Sequence, residues 1–108
     1  SLLVEAGEAI DRAEDPRADD AGATDPEAAA AASIAVAAAK VVATRAALDT
    51  TSALFDAGGT RSAAASSGTD RLWRDARTHP LHDPSRWKVQ HVGRYALTGA
   101  HPPRHGLV

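Results

Sequence analysis

The residues best suited to chemistry lie in one short segment, RLWRDARTHPLHDPSRWK, which runs from Arg71 to Lys88. This segment holds two histidines, His79 and His82, two tryptophans and five arginine or lysine side chains, in a chain that is otherwise rich in alanine. An imidazole gains and loses a proton near neutral pH and is also a common ligand of transition metals. The two histidines could therefore act in acid–base chemistry or bind a metal, and they are the first candidates for a catalytic role.

The other residues near the histidines argue against a metal site. All five histidines lie in the last 30 residues, but the chain contains no cysteine, and Asp83 before Pro84 is better explained as a helix cap. We therefore expect no bound metal. The lack of cysteine also excludes disulfide bonds, which is typical of a reducing compartment and predicts a cytoplasmic location.

A second candidate site follows the longest predicted helix, where the sequence reads GGTR. The glycine pair, Gly58 and Gly59, could simply end that helix, or it could let the backbone approach a phosphate group closely. Arg61 could be an ordinary surface arginine or could supply positive charge to a bound anion. The residues alone leave both alternatives open.

Apolar spacing predicts that helices carry these residues. Apolar side chains recur every three or four positions from Leu3 to Ala13, which predicts a first helix that ends near Glu14. Residues 15–25 hold four aspartates and a proline, and we expect them to form an exposed and mobile connection.

The second predicted helix is long and rich in alanine. Asp25 caps it, Pro26 takes its first position, and the glycine pair ends it. Thirteen alanines between residues 28 and 53 would let a neighbouring helix approach closely. Larger apolar residues recur in this helix every seven positions, at Ile34, Val41, Leu48 and Phe55. This pattern predicts packing in a bundle and self-association of the chain.

Two shorter helices complete the prediction. The third begins at Thr69 or Asp70 and ends before Pro80, and the fourth begins after Asp83 and ends at Gly99, which leaves residues 100–108 as a C-terminal tail. The two tryptophans are expected to anchor the core of these helices. The histidine segment is then a tight turn between helices, and such turns present their side chains to solvent or ligands.

Length and charge restrict the class of protein. A chain of 108 residues forms at most one domain, and the elements predict an all-α, antiparallel four-helix bundle. Residues 1–60 carry 11 acidic and 4 basic side chains, whereas residues 61–108 carry 3 acidic and 8 basic ones. The acidic first half disfavours nucleic acid as a partner. Polar residues interrupt every apolar run before it reaches the length of a membrane span, so no membrane partner is expected.

Three stretches give the chain a family resemblance. LFDAGGTR, the histidine segment and the ending HPPRH, all between Leu54 and His105, resemble the C-terminal helical domain of the acyl-CoA dehydrogenase superfamily. The match is closest to its reduced-flavin monooxygenases, which include dibenzothiophene monooxygenase, a sulfone-utilisation family and the oxygenase of 4-hydroxyphenylacetate hydroxylase. The resemblance implies a fragment of a longer flavoenzyme that assembles as a dimer or tetramer.

The resemblance also implies roles for the candidate residues. Gly58, Gly59 and Arg61 would lie near the nucleotide end of FAD or FMN, in a site completed by other domains and a neighbouring subunit. His82, with His79 as second choice, would lie beside the isoalloxazine ring and donate a proton during the reaction with oxygen. A flavin reductase would supply reduced flavin, and a small organic molecule would be oxidised.

Two alternatives to the monooxygenase remain at this stage. Many acyl-CoA dehydrogenases carry a catalytic glutamate in the corresponding turn, but this chain has no glutamate after Glu27, which disfavours a base from this segment. Other dehydrogenases place that glutamate on an earlier helix. The third alternative is a helical interaction module without catalytic activity.

Overall fold

The computed structural model of the chain describes residues 1–15 and 25–104, and these residues form four α-helices, three short 3₁₀ helices and no strand. The predicted all-α fold class is confirmed. The mobile connection expected at residues 15–25 falls almost entirely outside the described residues, and so does the end of the predicted tail.

The four helices lie where the sequence signals place them. They are α1 (Leu2–Glu14), α2 (Pro26–Gly58), α3 (Thr69–Thr78) and α4 (Ser85–Thr98). The cap of α2 has the expected geometry, because the backbone N–H of Glu27 donates to Oδ1 of Asp25 at 3.1 Å. Gly99 ends α4 with a φ of 69°, the left-handed conformation expected of a glycine at this position.

The cap of α3 differs from the prediction. The sequence predicts Thr69 or Asp70 as the cap, but the N-cap is Gly68, with a φ of 70°, and Thr69 is the first helical residue. The chain reaches this point through two 3₁₀ helices, Gly59–Ala63 and Ala65–Ser67. It then needs the left-handed conformation to enter α3, and glycine adopts that conformation at no steric cost.

Along α2, buried and half-buried residues lie between residues that are exposed. The four residues of the seven-residue repeat are all half-buried, and Ala30 and Ala37 lie buried at matching positions. The exposed face of α2 carries small residues, among them Ala43, Ala46, Ala47 and Ala53. The repeat thus coincides with half-buried positions of α2, and the predicted packing in a bundle and self-association stay predictions.

The length and composition of α2 pass a test for membrane spans. The helical run Pro26–Ala63 includes an 18-residue window with a mean hydropathy of 1.5, of which 11% is buried within the described structure. Core helices of soluble proteins pass the same test, so this is weak evidence for a membrane span. The apolar character comes mainly from alanine, which favours close helix packing.

The described residues group into two compact units. One contains α1, α2 as far as Val41, and the chain from Arg86 onward, and the other is Val42–Ser85. The buried apolar residues are all alanines of the first unit, at positions 6, 9, 30, 32, 37 and 39. That the whole chain forms a single domain stays a prediction.

The predicted role of the tryptophans as core anchors is wrong. Trp73 is 41% exposed and Trp87 is 48% exposed. The buried apolar positions of the described residues are all alanines, and no described element fully covers either indole ring. Both rings lie at the surface, and the guanidinium carbon of Arg86 lies 5.4 Å from the centre of the Trp87 ring.

Candidate functional site

The glycine turn at the end of α2 requires both of its glycines, for different reasons. Gly59 has a φ of 58°, and a Cβ atom added there would meet nothing within 4 Å. A Cβ added at Gly58 would lie 2.9 Å from Cβ of Ser62, closer than real contacts allow. Gly58 is therefore required by packing, whereas Gly59 is required by backbone conformation and leaves open space beside the backbone.

Ser62 holds this turn together, and sequence reasoning missed it. Its side chain is buried, and its hydroxyl lies 2.6 Å from the carbonyl oxygen of Gly59 and 3.1 Å from that of Phe55. The hydroxyl can donate its single proton to either carbonyl, so it links the 3₁₀ helix to the last turn of α2. No sequence motif marks this serine among its serine and alanine neighbours.

Arg61 is an exposed cation in the same turn. Its side chain forms no ion pair or hydrogen bond with any residue that the structure describes. The arginines of α3 differ, because Arg71 pairs with Asp75 at 4.0 Å and Arg74 pairs with Asp70 at 3.9 Å, one helical turn apart. These exposed pairs contribute little to stability, whereas the charge of Arg61 stays available to an anion.

The two histidines lie in the turn after α3, as predicted. His79 begins the 3₁₀ helix His79–Leu81, and His82 follows it with helical backbone angles. Pro80 is buried between them and fixes the turn, whereas both imidazoles are exposed. Neither imidazole hydrogen-bonds to a described residue, so both can contact a ligand.

All five predicted site residues fall in the unit Val42–Ser85. Helix α3 contacts both the 3₁₀ helix of the glycine turn and the 3₁₀ helix that begins at His79. Within the described part of the chain, no hydrogen bond joins the histidines to the glycine turn. The histidines and the glycine turn therefore lie in the same unit, and no hydrogen bond between described residues joins them directly.

Ser85 adds a polar group that the sequence did not point to. Its Oγ is buried and has no hydrogen-bond partner among the described residues. It begins α4, three positions after His82. Buried hydroxyls are normally hydrogen-bonded, so this atom can accept or donate one further hydrogen bond.

A separate cluster in the other unit joins residues far apart in sequence. The hydroxyl of Tyr95 donates to Oε1 of Glu27 at 2.8 Å, and Nε2 of His101 lies 2.8 Å from Oε2 of the same carboxylate. The hydrogen bond from Tyr95, and then that from His101, lowers the pKa of Glu27, while the bond to Glu27 raises the pKa of Tyr95. The partners are 68 and 74 positions apart, so no local pattern could reveal them.

Comparison with known proteins gives one family and a consistent set of relatives. The family described as "Acyl-CoA dehydrogenase, C-terminal domain" matches residues 2–86. The dibenzothiophene monooxygenase of Mycolicibacterium goodii is 48% identical over 60 residues, which are 56% of this chain and 14% of that protein. The probable FMNH2-dependent monooxygenase SfnC of Pseudomonas putida is 40% identical over 60 residues, which are 56% of this chain and 15% of that protein.

A solved structure extends the likeness to nearly the whole chain. The crystal structure of FMN-bound TdsC from Paenibacillus sp. A11-2 superposes with a TM-score of 0.76 and 33% identity, covering 99% of this chain and 29% of the TdsC chain. A complex of the same protein with FMN and indole matches equally well. The chain therefore spans about a seventh of the curated relatives and less than a third of TdsC.

Proposed function

The chain belongs to the acyl-CoA dehydrogenase C-terminal domain family, and from this membership we propose that it is the flavin-site and oligomerisation domain of a flavin-dependent monooxygenase. The parent enzyme would use reduced flavin and oxygen to oxidise a small organic molecule. The relatives whose names specify monooxygenases, together with FMN-bound TdsC, support this choice within the family.

One observation carries the proposal. The turn after α3 presents two exposed imidazoles, His79 and His82, free of hydrogen bonds to described residues, and the chain has no glutamate after Glu27. An imidazole can donate and recover a proton at neutral pH, whereas removal of the α-proton of an acyl thioester calls for a carboxylate base. The chemistry of this turn therefore suits oxygen activation better than dehydrogenation.

The glycine turn is suited to the phosphate of the flavin. The space beside the backbone of Gly59 is open, and the guanidinium of Arg61 has no anionic partner among the described residues. An arginine can bind a phosphate through two parallel hydrogen bonds. We favour FMN over FAD because FMN appears in the names of the TdsC structure and of SfnC. The bound flavin, once reduced, would supply the electrons for the reaction with oxygen.

Within this scheme His82 is the catalytic residue and His79 the second choice. The buried Pro80 before His82 and the start of α4 at Ser85 after it restrain the backbone of the turn on both sides. The role of His82 would be to hold a proton at a ring nitrogen and donate it where negative charge develops.

The rest of the enzyme would come from elsewhere. We propose that other domains and a neighbouring subunit complete the flavin site, that a flavin reductase supplies reduced flavin, and that the protein is cytoplasmic. The isolated chain would be inactive, because it holds only part of the site and binding would still cost the full loss of ligand freedom. Self-association through the alanine-rich face of α2 is part of the proposal.

An acyl-CoA dehydrogenase is the second candidate, since the family description itself names that activity. Two reactions of the full-length protein distinguish the candidates. A monooxygenase consumes oxygen when reduced FMN is supplied, and its oxidised flavin keeps its visible absorbance after anaerobic addition of octanoyl-CoA. Loss of that absorbance on adding the acyl-CoA would overturn the proposal in favour of the dehydrogenase. A protein that does neither would be a binding module.

A further inference from the structure

The chain after α4 is tied to the start of α2 by a single carboxylate. Glu27 accepts from Tyr95 on α4 and contacts His101 beyond α4, both at 2.8 Å. The rings of Tyr95 and His101 lie with their centres 6.3 Å apart. Each carboxylate oxygen thus has its own partner, and the two partners lie on either side of Gly99, where the chain leaves the helix.

This chain segment, residues 99–104, covers a cavity on α2. The cavity has a volume of about 200 Å³ and is lined on the α2 side by Pro26, Ala29, Ala30 and Ser33. The covering side is His101, Pro102, Pro103 and Arg104. We refer to residues 99–104 as the strap.

Local bonds alone do not hold the strap in place. The backbone N–H of Gly99 donates to the carbonyl of Tyr95 at 2.8 Å, and that of Ala100 donates to the hydroxyl of Thr98 at 3.2 Å. Both bonds continue the end of α4 and would survive if the strap swung away from α2. The hydrogen bond between His101 and Glu27, at 2.8 Å, joins the strap to α2.

We propose that Glu27 is a latch that fixes the strap over α2, and that removing its carboxylate releases the strap and opens the cavity. Tyr95 is the positioning residue on α4, since its hydroxyl holds one carboxylate oxygen while His101 binds the other. The latch is a separate proposal from the flavin site, because its residues belong to the unit that does not contain the glycine and histidine turns.

The charges around Glu27 favour an anionic latch. The titratable groups that act on Glu27 are Tyr95 on α4, His101 on the strap and Asp25 before α2. Hydrogen bonds from Tyr95 and then His101 lower the pKa of Glu27, whereas partial desolvation and the charge of Asp25 raise it, and the net direction is down. The first turn of α2 adds the positive end of the helix dipole, which also stabilises a carboxylate.

Electron paramagnetic resonance of a nitroxide spin label on Arg104→Cys tests the latch, because the chain has no other cysteine to label. In Glu27→Ala we expect a more mobile spectrum of the label, because His101 loses the carboxylate that holds the strap against α2. Tyr95→Phe, which removes one of the two bonds to Glu27, should give a smaller increase in mobility. Glu8→Gln is the matched control, because Glu8 is an exposed glutamate of α1 that contacts no described partner, and it should change nothing.

A second measurement separates release of the strap from unfolding. Amides in the middle of α4 should keep wild-type hydrogen exchange in Glu27→Ala if only the strap opens. Equal mobility of the spin label in the presence and absence of the Glu27 carboxylate would overturn the proposal. Faster exchange throughout α4 in both Glu27→Ala and Tyr95→Phe would also overturn it, since Glu27 would then support the helix rather than latch the strap.

Discussion

At the scale of single residues, sequence reasoning found the polar groups that turns present and missed the groups whose roles depend on tertiary contacts. His79, His82 and Arg61 could be predicted because turns and helix ends present polar side chains outward, where the structure places them. Ser62 and Glu27 could not, because their importance comes from hydrogen bonds to partners that only the fold brings close. The type and spacing of residues show which chemistry they can perform, whereas tertiary contacts determine which hydrogen bonds they form.

Replacing His82 tests its catalytic role. In the full-length protein His82→Ala should lower product formation by about 10²- to 10⁴-fold, the usual effect of losing one positioned proton donor. Flavin oxidation and release of hydrogen peroxide should continue, because these need no such donor. The measurement is the ratio of product to peroxide, together with the melting temperature.

The control for this variant is Leu81→Ala, which shortens an exposed neighbour that has no hydrogen-bonding side chain. It should leave the ratio unchanged. If His82→Ala lowers the melting temperature and preserves the ratio, the imidazole merely packs the turn, and the catalytic assignment fails.

The Glu27 cluster predicts a dependence of stability on pH. Hydrogen bonds from Tyr95 and His101 lower the pKa of Glu27 in the folded state below its ordinary value of 4.5. The unfolded state therefore binds more protons at this carboxyl, so its contribution to stability is present above pH 4.5 and is lost as the pH falls through the lowered pKa. Melting temperatures measured across this acidic range should fall less steeply in Glu27→Gln than in the wild type. Parallel curves would contradict the prediction.

At the scale of elements, local signals in the sequence predicted where most helices begin and end. They failed where the position of a cap or the burial of a side chain depends on other elements. The cap at Asp25 and the exit at Gly99 follow from the hydrogen bonds that the first and last helical turns require. The cap at Gly68 was missed because the path through the preceding 3₁₀ helices sets it. The burial of Trp73 was predicted wrongly because the size and apolar character of an indole ring do not show whether another element covers it, and Trp73 is 41% exposed.

Two glycines should respond to alanine in opposite directions. Gly59→Ala forces a side chain into a backbone with a φ of 58° and should reduce the free energy of unfolding by about 1–2 kcal/mol. Gly93→Ala lies within α4, where an added Cβ meets nothing within 4 Å, and should raise the free energy of unfolding by up to about 1 kcal/mol. Chemical denaturation of both variants measures the two changes. A stabilising Gly59→Ala would show that the turn is not left-handed in solution.

At the scale of the whole molecule, the chain matches only a small part of its relatives. It spans 14% of the dibenzothiophene monooxygenase and 29% of TdsC, and several large apolar side chains lie exposed on it. Surfaces of this kind normally contact other domains or subunits. The family resemblance predicts such domains and subunits, which no local pattern in the sequence could do.

Self-association should follow from the exposed face of α2. Val42 is 51% exposed on this alanine-rich helix, and we expect the full-length protein to form dimers or tetramers that Val42→Glu weakens. Asp49→Asn is the control, because it alters the charge of an exposed α2 residue without adding charge to an apolar position. Sedimentation equilibrium gives the association state. A strictly monomeric wild-type protein at high concentration would contradict the prediction.

The central claim is that the parent enzyme transfers an oxygen atom from molecular oxygen, and isotope labelling tests it most directly. The full-length protein would be supplied with reduced FMN under ¹⁸O₂, with dibenzothiophene and indole as probes of the substrate site. Mass spectrometry would then measure the masses of the products. We expect an oxygenated product that carries the heavy isotope, formed in smaller amount by His82→Ala. A product whose oxygen comes from water, or no oxygenated product from a protein whose flavin an acyl-CoA reduces, would contradict the account.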